Sequence, residues 1–292
     1  GSFVLGALPY GVSATLSNNA ANTSIDLVVS SVGSITAWVP LVLTDPAGTS
    51  SFNAGNNWLD FSPPSINNGY ITRGFALRSP ADTNAYTFGG AALSIDVGGR
   101  FIMKGTNGQV MTVNNLILNG GLVDFANSGD NFTETLAGNI TLQGGLTSYI
   151  GALGSSGAAE TLIVTAPIGG SGHLQFSGSP VSNPTTDVGV VVLAGNNTYT
   201  GTTTVATGTL LVNGANGSSP ITVNTNAALG GSGTLGGTVN VQLGGTLSPG
   251  TPTRGALTAA IGTLTAGHMT VNGTVLMKLD RAAVPTSDKL TA

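Results

Sequence analysis

The sequence is built from short strand-like segments that end in pairs of glycine or asparagine. Residues rich in Val, Leu, Ile and Thr run up to Gly-Gly, Asn-Gly or Asn-Asn, as in segments 93–97, 116–118, 139–143 and 238–243. Glycine and asparagine tolerate positive φ angles, so each pair is a point where the chain can turn sharply at little steric cost. The pattern predicts an all-β fold of many short strands.

Equivalent positions in these segments recur at regular intervals. Leu118, Leu142 and Val164 occupy such positions in successive segments. Their spacing falls within the repeat length of roughly 20 to 30 residues that is typical of stacked coils, in which each coil buries its inward side chains only against its neighbours. We therefore expect a parallel β-solenoid with three short strands in each coil, in preference to a globular β-sandwich.

Charged residues are scarce, at 7% of the chain, against about 25% in ordinary soluble domains. Between Val188 and Thr253 there is no Asp, Glu, Lys or Arg. Parallel stacking places like residues next to one another, which penalises columns of charge and favours columns of Thr and Asn. The charge deficit therefore supports the solenoid and indicates a neutral polar surface typical of secreted β proteins.

Composition also argues against several classes of protein. No apolar run approaches the roughly 18 residues of a membrane-spanning helix. A net charge of −4 with eight basic residues argues against nucleic acid as a partner. The absence of cysteine excludes disulfides and thiolate metal sites, and it fits a bacterial exterior. We expect neither a metal nor a cofactor.

Aromatic residues divide the chain unevenly. Half of them lie between Trp38 and Phe88, together with five prolines. This less repetitive stretch predicts an irregular, aromatic-rich β lead-in or capping module over residues 34–88. Terminal strands of a preceding module (1–33) lie before it, and the β-solenoid (89–292) follows. A cap meets a physical need, because an open solenoid end exposes unpaired backbone.

Three segments carry a family resemblance. Residues 193–213, 228–237 and 245–250 resemble the autotransporter-associated β-strand repeat, also called the passenger-associated transport repeat. The core of the match is 193–250, and residues 87–279 are compatible with it. The resemblance implies a right-handed parallel β-helix on a secreted or surface-displayed bacterial protein.

The same resemblance gives an expectation for the ends of the chain. Residues 271–280 look like a segment that further strands follow, whereas 8–16 and 24–29 look like the end of such a module. We therefore expect a fragment, or one register of a tandem array, that self-associates or makes head-to-tail contacts with neighbouring modules. This segment itself is not expected to insert into a membrane.

One cluster of acids has an enzymatic interpretation beside a structural one. Asp124, Asp130 and Glu134 lie close together in the sequence, and glycoside hydrolysis uses two carboxyl groups about 5–10 Å apart. They flank Asn127-Ser-Gly129, which is typical of a loop, so solvated turn acids are the simpler interpretation. The enzymatic alternative is a polysaccharide-degrading β-helix.

Two other patterns are weaker still. Gly231-Ser-Gly-Thr-Leu-Gly236 matches the spelling of a dinucleotide-binding loop, but no helical pattern follows it and no acid lies between Gly236 and Thr253. It is interpreted as a turn. His173 and His268 are the only histidines, and neither sits in a catalytic or metal-binding pattern.

The best candidate for ligand recognition lies in the aromatic stretch. Asn56 and Asn57 precede Trp58, and an indole beside amides can stack on a sugar ring and hydrogen-bond its hydroxyls. The alternative is that Trp58 fills the core of the lead-in module.

Together these observations predict a non-enzymatic, extracellular or cell-surface bacterial protein. Its function would be structural, as a rigid spacer, fibre or filament element with adhesion as a further role. The alternatives are a carbohydrate-binding module on a β-helical stalk and the polysaccharide-degrading enzyme.

Overall fold

The computed structural model describes residues 12–32, 37–38, 52–126, 131–152, 160–177, 189–251, 260–279 and 287–291. These residues are almost entirely strands and turns, with one short 3-10 helix at Gly55–Asn57. Within these ranges, no helix has the length and apolar character needed to cross a membrane. The all-β class predicted from the sequence is confirmed.

Twenty-six strands follow one another along the described chain. In chain order they are β1 (Val12–Asn19), β2 (Ser24–Val32), β3 (Ala37–Trp38), β4 (Gly69–Ile71), β5 (Ala76–Arg78), β6 (Tyr86–Thr87), β7 (Ala92–Asp96), β8 (Arg100–Met103), β9 (Val110–Asn119), β10 (Leu122–Phe125), β11 (Thr133–Leu142), β12 (Thr147–Ala152), β13 (Thr161–Val164), β14 (Ile168–Gly170), β15 (His173–Phe176), β16 (Val190–Leu193), β17 (Thr203–Val205), β18 (Thr209–Val212), β19 (Ala215–Asn216), β20 (Ile221–Val223), β21 (Ala228–Gly231), β22 (Thr234–Val241), β23 (Thr246–Pro249), β24 (Thr263–Val271), β25 (Thr274–Val275) and β26 (Lys289–Thr291).

The strands form one small antiparallel sheet and two long parallel sheets. β1 and β2 pair with each other. The first long sheet, sheet 1, runs β3-β4-β7-β9-β11-β13-β16-β18-β21-β23-β25, with β6 and β14 beside this path. The second, sheet 2, runs β5-β8-β10-β12-β15-β17-β20-β22-β24-β26, with β19 beside it. From β4 onward, apart from β6, β14 and β19, the chain adds strands to the two sheets alternately.

Strands β3 to β6, from the predicted lead-in module 34–88, belong to the same two sheets as the strands after residue 88. The proposed boundaries at 33 and 88 stay predictions.

The strand register confirms one predicted equivalence and corrects the other. Leu118 pairs with Leu142, as the sequence pattern predicts. Val164, however, pairs with Leu136, and Leu142 pairs with Gly170. The predicted equivalence of Leu142 and Val164 was wrong, because two later strands of sheet 1 share β11 as a partner: β13 pairs with its first half and β14 with its second.

The shortest coils lie between residues 189 and 251. Leu210 pairs with Leu229, and Leu229 pairs in turn with Leu247. Each of these steps along the chain is shorter than the step from Leu118 to Leu142. β17, β18 and β19 supply three short strands within one such coil. Three short strands in each repeat are consistent with the expected solenoid, at a shorter length than the spacing earlier in the chain, and the closed three-strand coil stays a prediction.

Between the two sheets, aliphatic side chains line up in columns across the strands. One column of fully buried residues in sheet 1 consists of Leu162, Val191, Leu210, Leu229 and Leu247. Burial of each such side chain contributes about 1.5–3 kcal/mol. Because every column crosses many coils, each coil is stabilised by its two neighbours.

At one end of the stack, aromatic side chains fill the interior. Phe52 stacks on Phe101 with ring centroids 5.1 Å apart, and Tyr70 meets Phe88 edge to face at 5.4 Å. The Phe52 amide donates to the carbonyl of Arg78, the last residue of β5. The aromatic stretch therefore covers the interior where the first coils begin.

Glycine is required where the backbone of one coil touches the next. A Cβ atom on Gly201 would lie 1.9 Å from the carbonyl oxygen of Gly172 in the preceding coil, whereas one on Gly267 would meet nothing described within 4 Å.

Gly201→Ala should lower the free energy of unfolding by about 1–3 kcal/mol, because the added methyl group forces the stacked backbones apart. Gly267→Ala is the matched control and should change stability by no more than about 0.5 kcal/mol. Urea unfolding followed by circular dichroism measures both. Equal stability of the two variants would contradict the close stacking of coils at Gly201.

Candidate functional site

Trp58 lies inside the aromatic cluster. Its indole is fully buried, contacts Tyr70 edge to face with centroids 4.6 Å apart, and lies 6.1 Å from the ring of Phe88. Protein side chains therefore occupy the space beside the indole. A sugar ring could stack on Trp58 only after these neighbours moved.

The two amides beside it are placed differently. Asn57 is half-buried at the end of the 3-10 helix, and its backbone N–H donates to the Ala54 carbonyl at 3.1 Å. The side chain of Asn56 lies outside the described residues. Glycan binding by Trp58, Asn56 and Asn57 stays a prediction, while the packing role is the one whose contacts are present.

Asp124 is buried in β10 and paired with a cation. Arg100, in the neighbouring strand β8, donates from Nε to Asp124 Oδ1 at 3.0 Å and from a second guanidinium nitrogen to Oδ2. Burial raises the pKa of Asp124 above its ordinary value, and the Arg100 guanidinium opposes that shift. Asp124 therefore joins two adjacent strands of sheet 2 and is not the solvated turn acid expected from the sequence.

Glu134 lies on β11 of sheet 1, and its side chain points into the buried interior. Its register partner in β13 is Leu162, so the carboxyl group stands at one end of the aliphatic column. The side chain is fully buried, and neither carboxylate oxygen makes a hydrogen bond of ordinary geometry within the described residues. The interpretation of Glu134 as a solvated turn acid was therefore wrong. Asp130, the third member of the predicted cluster, lies outside the described residues.

The environment of Glu134 favours its neutral form. Burial raises its pKa to about 8, and the negative charge of Glu160 adds to the shift. The Gly105 amide and the Lys104 ammonium act in the opposite direction without cancelling it. A buried carboxyl group that lacks a closely paired cation holds a proton in such surroundings.

Two further ionisable residues, Glu160 and Lys104, act on the pKa of Glu134. Glu160 is fully buried at the start of β13. Lys104 follows β8, donates from its ammonium to the Ala126 carbonyl, and has a pKa lowered by burial and by Arg78. Lys104, Glu134 and Glu160 thus form one group of interacting ionisable residues.

Sequence reasoning found Glu134 but missed Lys104 and Glu160. Glu160 lies two positions before the inward-facing Leu162, and side chains two apart in a strand share a face. That alternation was the available signal for Glu160. Lys104 offered none, because its position depends on where the chain leaves β8.

The geometry limits what the acids can do. Glu134 and Glu160 are fully buried and Asp124 is 1% exposed, with a guanidinium on its carboxylate. A polysaccharide needs two carboxyl groups at an accessible cleft. In this arrangement the acids contact protein, and a polymer would reach them only after the surrounding coils opened.

The glycine motif 231–236 spans the end of β21 and the start of β22. Gly231 ends β21 with φ of +107°, and a Cβ there would lie 2.1 Å from the Val212 carbonyl oxygen. Strand β22 begins at Thr234, where a dinucleotide site requires a helix. The interpretation as a turn agrees with this geometry, and the close approach of coils gives its physical reason.

Both histidines lie on sheet 2. The Thr202 amide donates to His173 Nδ1 at 3.0 Å, and His268 stands opposite Thr238. A shallow groove of about 320 Å³ lies beside His268, lined by Thr238, Val239, Asn240, His268, Thr270 and Asn272. In the part of the chain that the structure describes, no group of three His, Cys, Asp or Glu residues is suited to hold a metal.

Trp58→Ala should lower the free energy of unfolding by about 3–5 kcal/mol, because it empties the centre of the aromatic cluster. Trp58→Phe should retain most of the stability. Thermal unfolding measures both variants, and retention on immobilised glycans tests the recognition role separately. Loss of glycan retention in Trp58→Ala without any loss of stability would contradict the packing role.

Glu134 predicts a pH dependence of stability. Its carboxyl group stays protonated in the folded state up to about pH 8 but ionises near pH 4.5 when unfolded. Stability from this group is thus fully present below the unfolded pKa and is lost as the pH rises through the folded one. Glu134→Gln should unfold with a flatter pH profile and be more stable than the wild type at alkaline pH, by up to about 5 kcal/mol.

The measurement is urea unfolding at a series of pH values from the unfolded to the folded pKa of Glu134. Asp26→Asn is the control, because hydrogen bonds from Asn19 and Ser24 lower the pKa of Asp26 and place its titration below this range. A Glu134→Gln profile that falls as steeply as the wild type would show that Glu134 is not the group responsible.

No protein-family model, curated protein or solved structure matches this chain. The resemblance of residues 193–250 to the autotransporter-associated repeat therefore stays a prediction.

Proposed function

We propose that this chain is a structural β-solenoid segment, a rigid spacer or fibre element of a bacterial surface or secreted protein, wound as a right-handed β-helix. The observation that carries the proposal is the continuous parallel pairing of strands in sheets 1 and 2, from β3 to β25 and from β5 to β26. A stack of this kind is elongated along a single axis, because each coil contacts just its two neighbours.

Rigidity follows from the way in which coils are joined. Bending the stack would stretch backbone hydrogen bonds on one side in every coil and would open the aliphatic columns between the sheets. Protein interiors are close-packed, and a close-packed interior resists such distortion. The length and stiffness of the segment are thus properties of the fold and require no bound ligand.

The outer face of sheet 2 supports a role at the cell exterior. A column of neutral polar residues runs along it, made of Tyr149, Gln175, Thr204, Thr222, Asn240 and Thr270. Side chains that are uncharged at neutral pH carry no charge for salt to screen. Such a surface stays unchanged over a wide range of pH and ionic strength, as a protein outside the cell requires.

The family resemblance points the same way. The repeat that residues 193–250 resemble occurs on secreted and surface-displayed bacterial proteins. It accounts for the right-handed sense and the bacterial surface in this proposal.

Small-angle scattering on the purified chain should give an elongated particle. Eleven strands lie on the path of sheet 1, so a spacing of about 4.8 Å gives a stack about 48 Å long. Antibodies raised against residues 189–251 should label intact cells that carry the parent protein. A globular scattering profile would refute the solenoid, and labelling only after lysis would refute the surface location.

A further inference from the structure

One end of the stack has strand edges that no described strand covers. β26 pairs only with Thr263–Thr265, so the later part of β24, His268–Val271, pairs on one side alone, with β22. β25 likewise pairs only with β23 among the described strands. We call residues 268–279 the open edge.

The open edge also exposes apolar side chains. Val275 continues the buried column that ends at Leu247. Val275, Leu276, Met277 and Leu279 are 41% to 83% exposed. Among the described residues, β26 covers only the first part of β24, and Ser287 meets only Leu279 at the end of this segment, so Val275 to Met277 stay uncovered. Aromatic rings fill the interior at the opposite end.

The hairpin β1–β2 also has strand edges and apolar side chains that no described strand covers. Each strand pairs with the other, and neither pairs with any other described strand. Leu16 and Leu27 are register partners, and Ile25 lies on the same face. These three side chains are 37% to 53% exposed. An isolated two-stranded hairpin is marginally stable in water, and a further strand or a packed face stabilises it.

We propose that the hairpin β1–β2 of one copy of this chain packs on the open edge of a second copy. The hairpin would add a strand to the uncovered half of β24 and place Leu16 and Leu27 against Val275. Strand addition of this kind draws its affinity from main-chain hydrogen bonds and its specificity from the alternating side chains. The inference rests on the proposed structural role and names the partner for it.

A second copy is the favoured occupant because each surface supplies what the other lacks. The hairpin brings a free backbone edge and an apolar face, and the open edge needs both. The charges are complementary as well. Asp26 is the one charged residue within 12–32, and the exposed Lys289 lies in β26, beside β24.

The contact joins two different surfaces, so it does not close on itself in a dimer. Each copy keeps a free hairpin at one end and a free open edge at the other. Heterologous contacts of this kind build open chains unless their rotation closes a ring. Copies would therefore join head to tail, all pointing in one direction.

The experiment uses sedimentation of the full chain over a range of concentrations. Leu16→Lys with Leu27→Lys changes the hairpin, and Val275→Lys with Leu279→Lys changes the open edge. Each pair should weaken self-association about tenfold or more, because charge at a strand edge blocks further pairing. Val97→Lys is the control: Val97 is 65% exposed in the turn between β7 and β8 and belongs to neither surface.

Mixing the two double variants is the decisive step. Each retains one intact surface, so the mixture should form dimers and nothing larger, while the wild type forms longer species. A wild type that stays monomeric at every concentration would overturn the inference. So would association that depends on the hairpin but not on the open edge, since that result indicates contact between two hairpins.

Two further measurements separate the possible failures. Circular dichroism checks that each variant keeps the fold, and Leu16→Asn with Leu27→Asn replaces the lysine pair if it does not. Scattering from the monomeric variants reports the shape of a single copy. A wild type that stays monomeric while the single copy is a rod would overturn the docking alone, whereas a globular single copy would overturn the proposed structural role as well.

Discussion

The backbone hydrogen bonds between successive parallel strands are the constraint on which the rest of this structure depends. They hold neighbouring strands about 4.8 Å apart and place residues of one coil beside their equivalents in the next. Each choice of side chain is therefore repeated along the stack. The aliphatic columns, the neutral outer column of sheet 2 and the glycines that face carbonyl oxygens are all consequences of this one spacing.

The constraint makes an interior carboxyl group unfavourable, and Glu134 shows how the structure accommodates one. It stands at one end of an aliphatic column and not within it, next to Leu162 and before the short coils begin. Nearby, Arg100 and Asp124 form a buried ion pair. Buried charge thus lies outside the regular coils, in the earlier coils and again beyond residue 251, where the buried Asp288 pairs with Lys278. The regular coils from 189 to 251 have none, because a charge there would lie between two aliphatic neighbours.

Sequence reasoning recovered what the constraint repeats and missed what occurs once. The strand class and the pairing of Leu118 with Leu142 follow from periodicity, so both could be predicted. The partner of Val164 could not, because the distance to its equivalent, Leu136, depends on an insertion that no periodic signal marks. The proximity of Lys104 to Glu134 could not be predicted either, because the two residues lie in segments that share no repeat. Burial of Trp58 was one of two predicted alternatives, and only packing could distinguish them.

A stack of coils always has two ends, and the two ends of this one differ in their chemistry. Aromatic rings fill the interior beside the first coils, where Phe52 lies against Phe101. At the other end, Val275 stands at the end of its column with nearly half of its surface exposed. If copies join as proposed, growth by stacking occurs at the open edge, because aromatic rings already fill the opposite end. An assembly of that kind would have a direction, set by which coil carries the aromatic residues.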